Sequence, residues 1–325
     1  MQAAFASSLL RRALPDPVRR PAVEPLSLPL YALLGGMTAL VAAGVLATDF
    51  SYDAATLNGP ILCLAVLAAC ALGLRRTGYP AVAGMLEATT LMAAVSAAGA
   101  FASLIVAATA RPYADDWLIA ADAALFLGFD WRSAVGAIAH QDALLRAASY
   151  VYASLNWQPS LLILLLFALG RSERCWTFAT AWAMTLAATI AIFPFAPALG
   201  GYLHFGIAPG DVPGVRVPAA WMHAGIREPV RAGTLRTIGA GVLEGVVTFP
   251  SFHAAAAVLL GWGFCGLRWL RWPAAALNAA MFAAAVVIGG HYLVDIVAGG
   301  LIAAGAICAS RALLRSLSRR AEPVA

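Results

Sequence analysis

The sequence predicts an all-α, polytopic helical bundle spanning a membrane, and three observations carry that prediction. Of 325 residues, 62% are hydrophobic and only 11% charged, against about 25% charged in an average soluble domain. Mean hydropathy is +0.82. Eight long apolar runs follow one another, punctuated by arginine clusters. Together these exclude a soluble enzyme, a disordered chain, a coiled coil and a nucleic-acid-binding module. The net charge of +5 comes from clusters between apolar runs, and every basic residue is arginine.

A membrane helix needs about 20 mostly apolar residues. The runs are 30–48, 60–74, 81–108, 149–170, 176–198, 250–267, 273–289 and 293–312, the second being shortest at its charge-free core. Placing the N-terminus inside puts 14 of the 21 arginines on the cytoplasmic side, among them Arg11, Arg12, Arg19, Arg20, Arg75, Arg76, Arg171, Arg174, Arg268, Arg271 and the C-terminal cluster from Arg311 to Arg320. Basic residues in short cytoplasmic loops set orientation, so both termini are expected there. Residues 1–28, with four prolines ahead of the first run, read as a cytosolic arm and not as a cleavable signal. A lysine-free, alanine- and arginine-rich composition suggests a GC-rich bacterial gene, hence a cell inner membrane with its outer face in the periplasm.

Two outer segments exceed simple turns. Residues 111–148 alternate Asp115, Asp116, Asp122, Asp130 and Asp142 with Trp117, Leu118, Leu125, Phe126 and Trp131. That pattern predicts amphipathic surface helices with tryptophans at headgroup depth. Residues 199–249 are rich in Gly and Pro and hold four arginines, two histidines and Glu244. Loops of more than about 15 residues usually serve function or are disordered. The five cysteines, with no CxxC pair, read as small core residues and not as a metal site or disulfide framework. Trp262, Trp269 and Trp272 read as interface anchors.

Two histidines sit where packing does not explain them. One closes Thr248-Phe249-Pro250-Ser251-Phe252-His253 at the outer mouth of the sixth run. The other lies in Gly289-Gly290-His291-Tyr292-Leu293-Val294-Asp295 at the outer mouth of the eighth. A helix starting there puts His291 and Asp295, four apart, on one face within hydrogen-bond reach. A carboxylate holding one imidazole nitrogen leaves the other free and basic, as a nucleophile or base requires. The topology, derived without the histidines, places both at one membrane face.

Pro-Ser-x-His followed by His-x-x-x-Asp at outer helix ends resembles the type 2 phosphatidic acid phosphatase superfamily. The wording Phe-Pro-Ser-Phe-His with Gly-His-Tyr-Leu-Val-Asp is similar to its inositol phosphorylceramide synthase and sphingomyelin synthase branch, over roughly residues 176–312. The resemblance implies a six-helix catalytic core, including surface amphipathic helices, within about eight transmembrane helices. It implies that His291 attacks phosphorus, Asp295 orients it, and His253 protonates the leaving alkoxide and then deprotonates water or alcohol. Ser251 and the backbone around Phe252 would hold phosphoryl oxygens. No cofactor or metal is expected; the partners are a lipid phosphate or phospholipid and membrane lipids. The organisation implied is an arm over 1–28, N-terminal helices and outer segment over 29–148, a catalytic membrane domain over 149–312 and a cytosolic tail over 313–325.

The sequence also departs from that family's pattern. Ala284-Ala285 stand where its third motif carries Ser-Arg ahead of the histidine, and the Lys-x6-Arg-Pro of its first motif is missing. The lone Arg111-Pro112 comes two helices too early, with Leu104 at the lysine position. Arg231 and Arg236 are therefore the expected phosphate clamp, ahead of Arg216 and Arg227. The departures fit the synthase branch and also motivate a competing reading, a lipid-binding or transport protein that kept the fold and lost the chemistry. His140, His204 and His223 read as interfacial or loop residues. Glu87, inside the third run, is expected to take a structural partner across helices, Asn156 or Gln158. The stretch Asn156-Trp157-Gln158-Pro159 suits a polar wall or a kink.

Overall fold

All eight apolar runs are helical in the computed structural model, which describes residues 24–321. The first three form α1 (Leu28–Ala47), α2 (Ala54–Arg76) and α3 (Pro80–Ala107), and the outer segment folds into α4 (Asp115–Leu125) and α5 (Trp131–Ile138). The fourth run is a bent pair, α6 (Asp142–Ala153) and α7 (Gln158–Ala168), turning by 51° where Asn156, Trp157 and Pro159 interrupt the helix. Proline fits the first turn of a helix, where its missing N–H costs nothing. Next comes α8 (Ser172–Ile192), and the long outer segment supplies a four-residue α9 (Gly201–His204) and α10 (Ala219–Ala232). The chain closes with α11 (Phe252–Cys265), α12 (Arg271–Val287) and α13 (Leu293–Ala321). Five helices are long and apolar enough to cross a membrane, the bent pair makes a sixth, and α11 and α12 are shorter apolar helices. The chain is an all-α polytopic bundle.

α8 and α11 run through the middle of this bundle, with α3, α12 and α13 around them. Their shared core includes Leu162, Trp176, Phe178, Leu259 and Met281. α11 and α13 come close because Gly299 has no Cβ; one there would run into the Ser251 carbonyl. Small residues let membrane helices approach backbone to backbone, and this approach sets the start of α11 against the first turn of α13. A second cluster, around Trp131, Tyr202 and Tyr292, fills the end of the bundle beside both motifs. There a short parallel pairing of β1 (Ser51–Tyr52) with β2 (Thr237–Ile238) ties the α1–α2 turn to the segment after α10.

Several expectations are corrected. Trp131 is 1% exposed and therefore no headgroup anchor, unlike Trp117, which is exposed. Asp115 and Asp122 are buried because backbone amides need them, as described below. Glu87 pairs with Arg75 and accepts from the Ser27 hydroxyl at 2.9 Å, not from Asn156 or Gln158. Gln158 instead joins Ser154 and Asn278. Only Cys175 is buried; Cys63, Cys70, Cys265 and Cys308 are exposed, since an apolar surrounding accepts a thiol as readily as a core does. Arg11, Arg12, Arg19 and Arg20 lie outside the described residues, and residues 313–321 continue α13.

Candidate active site

A single cavity of about 390 Å³ gathers residues of both motifs: Phe252 and His253 on one side, His291 and Asp295 on another. Ser251 caps α11, its hydroxyl accepting the Ala254 N–H at 3.3 Å, and Phe252–His253 form the first turn. The Ser251 N–H in turn donates to the Asp295 carbonyl at 3.1 Å. Two residues 44 positions apart, one in each motif, are thus joined through backbone. Ser251 itself is fully buried and lies outside the cavity lining. Its hydroxyl serves the helix cap.

His291 stands on a turn that glycine makes possible. Gly290 has φ +69° and Gly200 φ +89°, and the Gly201 N–H donates to the Gly290 carbonyl at 2.8 Å. A Cβ at Gly200 would sit 3.1 Å from that carbonyl oxygen. Positive φ is cheap only for glycine. His291 Nδ1 donates to Asp295 Oδ2 at 3.3 Å, and the same oxygen accepts the Tyr292 N–H at 3.0 Å. The His291 carbonyl accepts the Trp131 indole N–H at 3.0 Å.

α4 works as a bracket behind this turn. Asp122 accepts the first two amides of α13, Leu293 at 2.8 Å and Val294 at 2.7 Å. A carboxylate suits the positive end of a helix dipole. About two turns away, Asp115 accepts the amides of Leu199 and Gly200 and the Tyr292 hydroxyl. Burial and the Asp115 carboxylate push the Tyr292 phenol far above its ordinary range, so it stays a donor.

On the opposite wall, His253 Nε2 donates to the Tyr152 carbonyl at 2.9 Å, and its ring stacks on Tyr152 with centroids 3.5 Å apart. That bond leaves Nδ1 for proton exchange.

α10 brings two residues that the sequence reading ranked low. His223 lines the cavity with Nε2 3.6 Å from Glu244, and burial, with His291 and Arg227 nearby, pushes it down to about 4. Arg227 is 1% exposed yet lines the cavity. Its Nε donates to Glu228 at 3.2 Å and Nη2 to the Leu199 carbonyl at 3.3 Å, which leaves Nη1 without a hydrogen bond among the described residues. Ala220, His223 and Arg227 share one face of α10 at spacings of three and four, a helical signal present in the sequence.

The favoured arginines are placed elsewhere. Arg231 donates to the Arg111 carbonyl at 2.6 Å and lies over the Tyr113 ring; Arg236 donates to the Val230 carbonyl at 2.7 Å and lies over Phe50. Neither lines the cavity, and neither does Arg111 or Arg216. His204 lies 3.6 Å from Asp116, also away from it, and His140 is exposed.

A family model described as the PAP2 superfamily matches residues 116–309, well over half of the chain. The chain belongs to the PAP2 superfamily. The match takes in α4 from its second residue, α10 and both histidine motifs, and it supports a phosphatase-type enzyme of lipid phosphates. No curated protein and no solved structure matches the chain.

Proposed function

We propose that this PAP2-superfamily chain is a lipid phosphate phosphatase or lipid headgroup phosphotransferase that works through a phosphohistidine on His291. The observation that carries the reading is the convergence of the Asp295-held His291, His253 and the buried Arg227 on one cavity. With Nδ1–H on Asp295, His291 presents a free Nε2 lone pair. Nε2 attacks phosphorus, the P–O bond to the leaving alkoxide breaks, and His253 gives that oxygen its proton. His253 then takes a proton from water or an alcohol, whose oxygen attacks phosphorus and releases His291. Asp295 holds the positive charge that forms on the His291 ring. Phosphoryl transfer is chiefly positioning and charge stabilisation, and Arg227, not Arg231 or Arg236, is the guanidinium placed to supply it. The site opens at the bilayer face away from the arginine-rich loops, which under the positive-inside rule is the outer, periplasmic face of an inner membrane with both termini inside.

Phosphate release from a panel of lipid phosphates by purified protein in detergent tests the reading, beside His291→Ala and His253→Ala and with a diacylglycerol acceptor in parallel. Release lost in both variants supports the phosphatase; transfer without release supports the synthase-like branch. His291 must be neutral to attack and His253 charged to donate, so kcat follows a bell-shaped pH profile. Turnover unchanged in both variants would sink the proposal. The missing Ser-Arg at 284–285 favours one competitor, a lipid-binding or transport protein, for which His291→Ala would leave lipid flux intact.

A further inference from the structure

At the opposite end of the bundle a second polar cavity, of about 500 Å³, is walled by Arg171, Arg174, Arg311 and Arg315 with a single carboxylate, Glu173. Arg311 lies 16 residues beyond Asp295 on α13, about 24 Å away at 1.5 Å per residue. This site therefore has no part in the chemistry around His291.

The charges are placed against local preference. Arg171 and Arg174 occupy the N-cap and first turn of α8, where the helix dipole favours an anion and disfavours a cation. Arg174 is settled by the carbonyls of Gly263 and Trp262 and by the Trp262 ring, 4.2 Å below it. The other three have no such outlet: among the described residues Arg171, Arg311 and Arg315 form no ion pair. By contrast, Arg268 and Arg271 at the same end lie over Trp269 and Trp272. Four guanidiniums converging on one cavity with one carboxylate leave a positive concavity that an anion relieves.

We infer that this cavity binds the phosphate headgroup of an anionic phospholipid from the surrounding bilayer. Its level in the fold decides the source. Exposed Trp269 and Trp272 mark the membrane interface at this end, and Leu169 beside Gly170 is exposed to the apolar surroundings. A headgroup with its chains in the bilayer fits there, and the cavity is far larger than a free phosphate requires. Arginines at that depth are suited to phosphodiester oxygens, which they engage with paired N–H donors.

The test uses the full chain in detergent with phosphatidylglycerol, phosphatidylcholine or inorganic phosphate, reading retained lipid by native mass spectrometry and thermal unfolding. Phosphatidylglycerol is expected to be retained over phosphatidylcholine and to raise the unfolding temperature. R311Q/R315Q, two exposed positions, is expected to weaken that retention by about thirtyfold, and R315Q alone to weaken it by less. Equal retention of the two lipids, or unchanged phosphatidylglycerol retention in R311Q/R315Q, overturns the inference. Inorganic phosphate giving the same thermal shift at equal concentration also overturns it, by making the ligand a free anion.

Discussion

The Trp131 indole N–H donates to the backbone carbonyl of His291 at 3.0 Å, so a residue from the outer segment fixes the turn that carries the proposed nucleophile. Trp131 is packed edge-on against Tyr202, and Tyr202 donates its hydroxyl to the Val287 carbonyl at 2.6 Å. Replacing the indole by phenyl keeps most of the packing and removes the donor. Trp131→Phe is expected to lower kcat about tenfold with KM little changed, as the loss of one buried hydrogen bond of about 1–3 kcal/mol implies. A rise in KM alone, with kcat intact, would show that Trp131 does not position His291.

Arg227 and Arg231 provide an internal contrast, four residues apart on α10. Removing a preorganised charge from a transition state costs about 10²–10³ in rate. Arg227→Ala should show that loss in kcat/KM, with partial recovery in Arg227→Lys. Arg231→Ala, whose guanidinium rests on Tyr113 and the Arg111 carbonyl, should stay within about threefold of wild type. Steady-state kinetics on the same lipid phosphate for all three checks it.

His223 gives the protein a pH-dependent stability. It is held near 4, below its ordinary value of 6.5, by burial and by the nearby His291 and Arg227; Glu244 at 3.6 Å does not offset them. Between pH 6.5 and 4 the unfolded chain binds a proton at this position that the folded chain refuses. Stability therefore falls as pH drops through that window, and the group contributes no slope above it. His223→Gln should flatten the decline in unfolding temperature between pH 6.5 and 4, and an unaltered slope would contradict the assignment.

The buried pair of Arg75 and Glu87 joins α2 to α3 far from the cavity of the histidines. Breaking a buried pair costs about 3–5 kcal/mol, and without Glu87 Arg75 keeps only the partly exposed Glu24 at 3.3 Å. Glu87→Gln should lower thermal stability markedly while leaving kcat per folded molecule unchanged. Arg75→Met combined with Glu87→Met should recover part of the loss.

The helices were legible because in a bilayer both the lipid-facing and the buried sides of a helix are apolar, so hydropathy alone marks it. The His291–Asp295 hydrogen bond followed from spacing on a helix start. What escaped was whatever depended on the outer segments. Asp115 and Asp122 look like solvated charges in an amphipathic pattern, and only the fold shows them accepting amides from residues 84 to 172 positions away. Trp131 fits a membrane-surface pattern for the same reason. Arg227 was passed over for Arg231 because the order of arginines in a Gly- and Pro-rich stretch says nothing about which one turns inward. The spacing of Ala220, His223 and Arg227 held that information once the stretch was read as a helix.

On the mechanism proposed, His291 becomes phosphorylated during turnover. Rapid quenching with a lipid phosphate labelled at phosphorus should yield labelled protein that is stable to alkali and labile to acid, as a phosphohistidine is. The label, once formed, should persist longer in His253→Asn, because His253 is proposed to activate the acceptor for breakdown, and it should be absent from His291→Ala. Label of the same acid lability retained in His291→Ala, or turnover in wild type with no labelled protein at any quench time, would contradict the account.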